Sequence, residues 1–346
     1  MSPLPALIYI SRWPLLMLAV LSLNAYAQQP SARPLELGKT ITVAAAQPSA
    51  LPKQDLYLFS GVKGEYIEIR VQQQGCDVRL YILTPDNRPI AVFDSYNGAY
   101  GPEYWRGVLA QAGRYQVKVE QLSLRSGEAK YTITLAIKRS ANDADRRRAQ
   151  AQEFYGQAWQ RRQGGSQLDF EESYYLYEDA MAIYRETADA LGEAQSIESI
   201  AALGSPTLPA RIRAGLYQDA LALFRRLRER SGEATTLHNL GALYARSSRL
   251  QEAITFYEQA IIAYRAVPDQ HGEAVALNNL ALVYCELRQP QEALRYFQQA
   301  LMACRQSGDR TNEVALLKYI GEVYEELGQP QQAERYYQQS EELKGK

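Results

Sequence analysis

One period constrains this chain more than any other feature. Gly192-Glu-Ala, Gly232-Glu-Ala and Gly272-Glu-Ala recur, and Asn312-Glu-Val holds the fourth place, each 40 residues after the last. A fixed period of this size predicts a solenoid of stacked helical hairpins, because one hairpin cannot bury its apolar face alone. The apolar and small positions recur in step. One unit reads Leu237-x2-Leu240-Gly241-x2-Tyr244, then Ala253-x3-Tyr257 and Ala260. The next reads Leu277-x2-Leu280-Ala281-x2-Tyr284, then Ala293-x3-Phe297 and Ala300; the last reads Leu317-x2-Ile320-Gly321-x2-Tyr324, then Ala333-x3-Tyr337. Small residues let two antiparallel helices approach, and the Tyr and Leu positions fill the groove between them. This repetition accounts for part of an unusual balance of 25 Tyr to 7 Phe.

These residues resemble the tetratricopeptide repeat, with Leu where that pattern has Trp. The long unit is similar to kinesin-light-chain-type arrays, six residues beyond the usual unit of about 34. The resemblance implies an all-α solenoid over 150–346, with its best repeats at 234–273, 274–313 and 314–346. Earlier units are degenerate. Tyr174-Tyr-Leu-Tyr-Glu-Asp-Ala180 keeps a second-helix register, and a first helix is expected near Gln150–Arg162. Gly204-Ser-Pro206 and Pro209 interrupt the helix between Ala202 and Gly215, because proline removes a backbone donor and clashes with the preceding turn. Ile261-Ile262 and Leu301-Met302 become Glu341-Glu342 in the last unit, the polar outer face that a terminal repeat needs; the solenoid is expected to stop there.

Residues 1–27 read as an address. Arg12 precedes the apolar run Leu15–Leu23, and Ala25-Tyr26-Ala27 supplies a small-x-small cleavage site. This is the pattern of a secretory signal peptide, too short after Arg12 for a comfortable span of about 20 residues. The expected location is periplasmic or secreted, with no stable membrane span after cleavage. Three scattered cysteines (Cys76, Cys285, Cys304) imply no disulfide framework and read as small buried hydrophobes.

Residues 28–139 are patterned differently. Asp55-Leu-Tyr-Leu-Phe59, Tyr66-Ile-Glu-Ile-Arg-Val71, Asp77-Val-Arg-Leu-Tyr-Ile-Leu83, Gly113–Val119 and Tyr131–Ile137 alternate with period two between Gly, Pro, Asn and Asp turns. Such spacing predicts an antiparallel β-sandwich. The Tyr57/Phe59 strand, Gly64 to Ile69, Asp77–Tyr81 and Ala112-Gly113-x-Tyr115-x-Val117-x-Val119 resemble the bacterial pre-peptidase C-terminal-type sandwich. That resemblance implies a non-catalytic accessory module. Asp77 reads as a turn cap, or as one ligand of a surface cation. Tyr96, Tyr100, Tyr104 and Trp105 fall on a Gly-rich loop whose aromatics either stack on a sugar or partner or pack under the sandwich edge, with Trp105 the one expected inside. The charged run 140–149 is the expected linker, with Asn142 and Asp143 as helix N-cap residues.

Catalytic signatures are missing. Lys+Arg is 38 against 39 Asp+Glu, which gives no basic excess for nucleic acid. Two histidines and three cysteines nearly exclude a His/Cys metal cage or a Cys₄ zinc site, and no cofactor is implied. No G-x-S-x-G, H-E-x-x-H or C-x-x-C occurs. The expected architecture is therefore a sandwich followed by a solenoid, and the expected function is non-enzymatic. The resemblance places a concave face on the first helices. Repeat register sets His238, Asn239 and Arg246 there, then Asn278, Asn279, Leu282 and Glu286, then Lys318, Tyr319, Glu322 and Glu326. Asn239 and Asn279 occupy equivalent places; in similar light-chain-type repeats an Asn here bonds the backbone of an extended peptide, and the alternative is that these Asn bond an adjacent helix or only water. The expected partner is a protein or extended peptide. Two alternatives stand beside it. Similar exported proteins continue into a caspase-like CHAT peptidase domain, absent here, so one is a regulatory or substrate-recruiting subunit of an envelope protease. The other is a cell-wall glycan binder using the Tyr96–Trp105 loop.

Overall fold

Among the described residues, nine strands are followed by ten helices, the order the patterning predicts. The computed structural model describes residues 32–45, 53–93, 100–124, 129–203 and 208–344. The address segment 1–27 and Tyr96 lie outside the described residues. β1 (Arg33–Pro34), β3 (Lys53–Gly61), β8 (Gly113–Leu124), β5 (Cys76–Leu83) and β6 (Pro89–Phe93) build one sheet, in that spatial order. β2 (Thr40–Ala44), β9 (Lys130–Ser140), β4 (Glu65–Gln74) and β7 (Tyr100–Val108) build the other. The recorded pairings are antiparallel except for the short β1, which runs parallel to β3 and makes that sheet mixed.

Alternation decides which residues enter the core. Tyr57, Phe59, Tyr115, Val117 and Leu80 of the first sheet are buried, as are Ile67, Ile69, Val71, Tyr131 and Ile133 of the second. The Tyr57 and Tyr131 hydroxyls meet at 2.7 Å, and Tyr131 donates to Asp55 Oδ2 at 2.7 Å. Gln121 Nε2 also donates to Asp55 Oδ2, at 3.0 Å. A carboxylate placed inside a sandwich is tolerable only with such partners. No disulfide joins Cys76, Cys285 and Cys304; Cys76 and Cys304 are buried, and Cys285 is half-buried.

From Tyr100 to Trp105 the chain is not the loop expected from its glycines, since Tyr100, Tyr104 and Trp105 lie on β7. Pairing with β4 sets Trp105 opposite Ile69 and Tyr104 opposite Arg70. Because neighbours on a strand point to opposite faces, Trp105 enters the core at 4% exposure. Tyr104 takes the outer face, with Arg106 and Arg70 guanidinium carbons 5.3 and 5.9 Å from its ring centre. Asp77 is also buried, on β5.

Helices α1 (Asp143–Arg162), α2 (Gln167–Glu186), α3 (Ala190–Ala202), α4 (Ala210–Leu227) and α5 (Arg230–Arg246) follow. Then come α6 (Leu250–Ala266), α7 (Gln270–Glu286), α8 (Pro290–Ser307), α9 (Arg310–Glu326) and α10 (Pro330–Lys344). α1 begins seven residues before the expected Gln150, so the 140–149 stretch is not a linker. β9 ends at Ser140, and Asn142 already caps α1 in a reciprocal box with Asp145. Gly204 and Pro206, residues of the expected interruption, lie outside the described residues; Pro209 is the residue before α4. The period reappears as helix caps: Asp189, Glu229, Asp269 and Asp309 each accept from a backbone N–H at the start of α3, α5, α7 and α9. It reappears again as ion pairs. Arg185–Glu193, Arg225–Glu233, Arg265–Glu273 and Arg305–Glu313, at 2.6–2.9 Å, each tie the last turn of a second helix to the next first helix.

Packing divides the chain into two compact units near residue 205. One holds the sheets with α1–α3; the other holds α4–α10. In the first, helices cover the outer face of the β4–β7 pair, which is why Tyr66 and Glu68 are as buried as the inner residues. Arg106 donates from Nε to Glu68 Oε2 at 3.0 Å and from Nη1 to Asp189. Burial opposes the Arg106 charge, but Asp189 and Glu68 outweigh it and hold its pKa above the ordinary value.

Candidate functional site

The unit formed by α4–α10 presents one face of its first helices that the second helices leave uncovered. Opposite it, Leu237, Leu240 and Gly241 of α5 are buried, with Gly241 against the Tyr257 ring of α6. The uncovered stripe follows the helical spacing i, i+4, i+7, i+11. On α5 it holds Thr235, Asn239, Ala242 and Arg246; on α9 it holds Ala315, Tyr319, Glu322 and Glu326, all half-buried or exposed. On α7, which has a repeat on each side, Val275 and Asn279 are buried while Leu282 is half-buried and Glu286 exposed. The stripe thus has a floor of small and apolar side chains and a charged end: Arg246 on α5, and Glu286, Glu322 and Glu326 on α7 and α9.

Seven of the residues expected on this face stand in the stripe with accessible surface: Asn239, Arg246, Leu282, Glu286, Tyr319, Glu322 and Glu326. Tyr319 stacks on Phe297 of α8, ring centres 5.6 Å apart. Burial raises the Glu322 carboxyl above its ordinary range, and neighbouring Glu325 adds to this. Lys318 is beside the stripe, where the Lys344 ammonium lowers its pKa.

His238, Asn278 and Asn279 need correction, because they are 3%, 3% and 1% exposed. They form an internal polar chain between α5 and α7. Asn278 Nδ2 donates to Asn279 Oδ1 at 3.3 Å, and Asn279 Nδ2 lies 2.9 Å from His238 Nε2. Burial, with a smaller effect from His271, pulls the His238 pKa down to about 4. The imidazole is therefore neutral at neutral pH, and accepting at Nε2 puts its proton on Nδ1. Asn239 and Asn279 are equivalent in register but not in environment. Asn279 is spent on holding α5 to α7, so it does not face an extended peptide.

Thr235, Ala242, Val275 and Ala315 were missed by sequence reasoning, which sought polar and charged groups. Their signal was available in part: Thr235, Val275 and Ala315 recur at the first stripe position, 40 residues apart, whereas the third reads Ala242, Leu282 and Glu322. Among the described residues no group of three or more His, Cys, Asp and Glu is placed to hold a metal ion, and no helix is long and apolar enough to cross a membrane.

This geometry is that of a helical-repeat solenoid following a β-sheet region in the chain. The tetratricopeptide repeat family matches residues 214–266 and 272–346. No curated protein matches the sequence significantly. Among solved structures, the apo form of RapI is 13% identical with a TM-score of 0.51, covering 56% of this chain and 54% of its own. A Podosopora anserina protein assigned as a kinesin light chain with nearly identical TPR-like repeats is 18% identical, TM-score 0.47, covering 56% of this chain and 93% of its own. Pseudomonas aeruginosa pilF is 18% identical, TM-score 0.44, covering 56% and 78%. At these identities the likeness is one of fold.

Proposed function

We propose that this chain is an exported, non-catalytic scaffold that binds an extended segment of a partner protein along the uncovered stripe of α5, α7 and α9. The observation that carries this is the recurrence of the same four stripe positions on three successive first helices. A preformed surface of that kind suits an extended ligand, because successive repeats meet successive residues. Half-buried Leu282 supplies apolar contact at the centre, Asn239 supplies an amide, and the charged end favours a segment whose basic residues lie toward α7 and α9. Export rests on the signal-like pattern of residues 1–27.

A photo-crosslinking amino acid in place of Leu282 tests the reading, with the same group at outward-facing Met302 (60% exposed) as control. Irradiation in cell-envelope extract is expected to give a discrete crosslinked product at 282 and none at 302. Equal products from both positions, or none from 282, would remove the stripe as the binding face.

A further inference from the structure

Within three repeats, the last turn of the first helix meets the second helix through two stacked aromatic rings. Tyr244 of α5 lies on Phe256 of α6, Tyr284 of α7 on Tyr296 of α8, and Tyr324 of α9 on Tyr336 of α10, with ring centres 5.2–5.4 Å apart. In the first two pairs a guanidinium closes the outer face of one ring. The Arg249 guanidinium carbon is 4.4 Å from the Tyr244 ring centre, and that of Arg295 is 4.0 Å from Tyr296. A carboxylate three residues away holds each arginine in place. Arg249 donates twice to Glu252 at 2.9 and 2.6 Å, and Arg295 twice to Glu292 at 3.0 and 2.7 Å. The two capped rings, Tyr244 and Tyr296, are buried at 8% and 9% exposure. Phe256 and Tyr284, which carry no cap, are half-buried.

The last pair lacks its cap. Gln329 stands at the place of Arg249, and Arg335 at the place of Arg295. The place of Glu292 is taken by Gln332, which has no charge to hold Arg335 on the ring; Arg335 is exposed. Among the described residues no guanidinium is recorded over Tyr324 or Tyr336. Both rings are half-buried, so the pair keeps surface open to solvent. Besides the stack, Tyr324 has a long hydrogen bond, 3.5 Å, from Gln298 Nε2 to its hydroxyl. The end of α9 carries exposed Glu322, Glu325 and Glu326, so the local field favours a cation. A planar guanidinium suits such a ring best, since it stacks flat while its N–H groups stay hydrated.

We infer that Tyr324 and Tyr336 form a seat for an arginine side chain of a partner protein, which takes the place that Arg249 and Arg295 fill in the two preceding repeats. The seat does not depend on the groove reading, because Tyr324 is about 200° around α9 from Glu322 and Glu326 of the stripe. Fluorine NMR tests it, with 3-fluorotyrosine placed singly at 324 or at 296 in the full chain. The probe is N-acetyl-arginine methylamide at constant ionic strength, and N-acetyl-norleucine methylamide is the uncharged control. The signal at 324 is expected to move saturably, about threefold or more further than the capped 296. Gln332→Glu restores the carboxylate that would hold Arg335 on Tyr336, and is expected to reduce the movement at 324 to that at 296. Arg295→Gln uncovers Tyr296 and is expected to raise its movement to that of 324. Both changes are at the helix surface, and circular dichroism checks that the fold is kept. Equal movement at 324 and 296 in the unaltered protein, a response that does not saturate, or an equal response to the norleucine compound would overturn the seat. So would movement at 324 that survives Gln332→Glu while Arg295→Gln leaves 296 unchanged.

Discussion

Around Arg106 the fold is held by a cluster of charges that occurs once; from α2 to α9 it is held by an ion pair that occurs four times. The Arg106 side chain is 13% exposed and joins Glu68 of β4 to Asp189 at the start of α3, partners 38 and 83 residues away. Each Arg–Glu pair of the repeats links residues eight apart, with the arginine side chain half-exposed. The first arrangement is non-local and buried, so failure of one member strands the others. The second is local and hydrated, so its members fail singly.

The sharpest way to break this contrast is Arg106→Met. It takes the only recorded cation from buried Asp189 and leaves buried Glu68 with half-exposed Arg70 alone, so a loss of about 3–5 kcal/mol is expected in the unit that contains the sheets. Chemical denaturation followed by tryptophan fluorescence measures it. Arg106→Met/Glu68→Gln/Asp189→Asn, which removes the stranded charge and keeps a side chain able to cap α3, is expected to recover most of that loss. If the single variant unfolds no more easily than the unaltered protein, the cluster is not what holds helices to sheet.

His238 supplies a pH-dependent counterpart in the other unit. Its pKa is lowered in the folded state to about 4 from an ordinary 6.5, so the unfolded chain binds the proton more readily. The stability this preserves is complete above pH 6.5 and is lost as pH falls toward 4, by about 3 kcal/mol. His238→Gln is expected to flatten the profile in that window. Parallel profiles for the two proteins would mean that the imidazole is not the titrating group.

Periodicity made the helical half legible because each repeat restates the same packing problem, and the caps at Asp189, Asp269 and Asp309 fall in register. Accessibility was less legible. Register placed His238, Asn278 and Asn279 on the right helices, but it could not show that α7 lies between two other repeats and loses half its stripe to them. Ile261-Ile262 and Leu301-Met302 read as two apolar pairs, yet the structure buries Ile261 and Leu301 and leaves Ile262 and Met302 at 66% and 60% exposure. Adjacent helical residues point about 100° apart, so no such pair shares one environment. In the sheets, glycines suggested a loop where Tyr100–Val108 forms β7, because pairing with β4 decided the matter and that partner is distant in sequence.

A smaller effect sharpens the view of the repeats as near-copies. Ser248, Arg288 and Gly328 occupy one position after α5, α7 and α9, and all adopt positive φ (56°, 58° and 71°). Only glycine does so without a Cβ penalty. Ser248→Gly is expected to stabilise by about 0.5–1 kcal/mol, read from the denaturation midpoint.

The smallest effect belongs to one repeated ion pair. Arg265 donates from Nε to Glu273 Oε1 at 2.6 Å, but its side chain is 52% exposed. Exposed pairs contribute little, since water screens the attraction and two side chains lose freedom. Arg265→Ala is therefore expected to cost no more than about 0.5 kcal/mol, and 1 M salt is expected to erase the difference. A loss approaching that of Arg106→Met would mean that the repeats lean on each pair as the sheets lean on their single cluster. The pair then could not be one increment among four, and the additive, nearest-neighbour picture of the α4–α10 unit would fail.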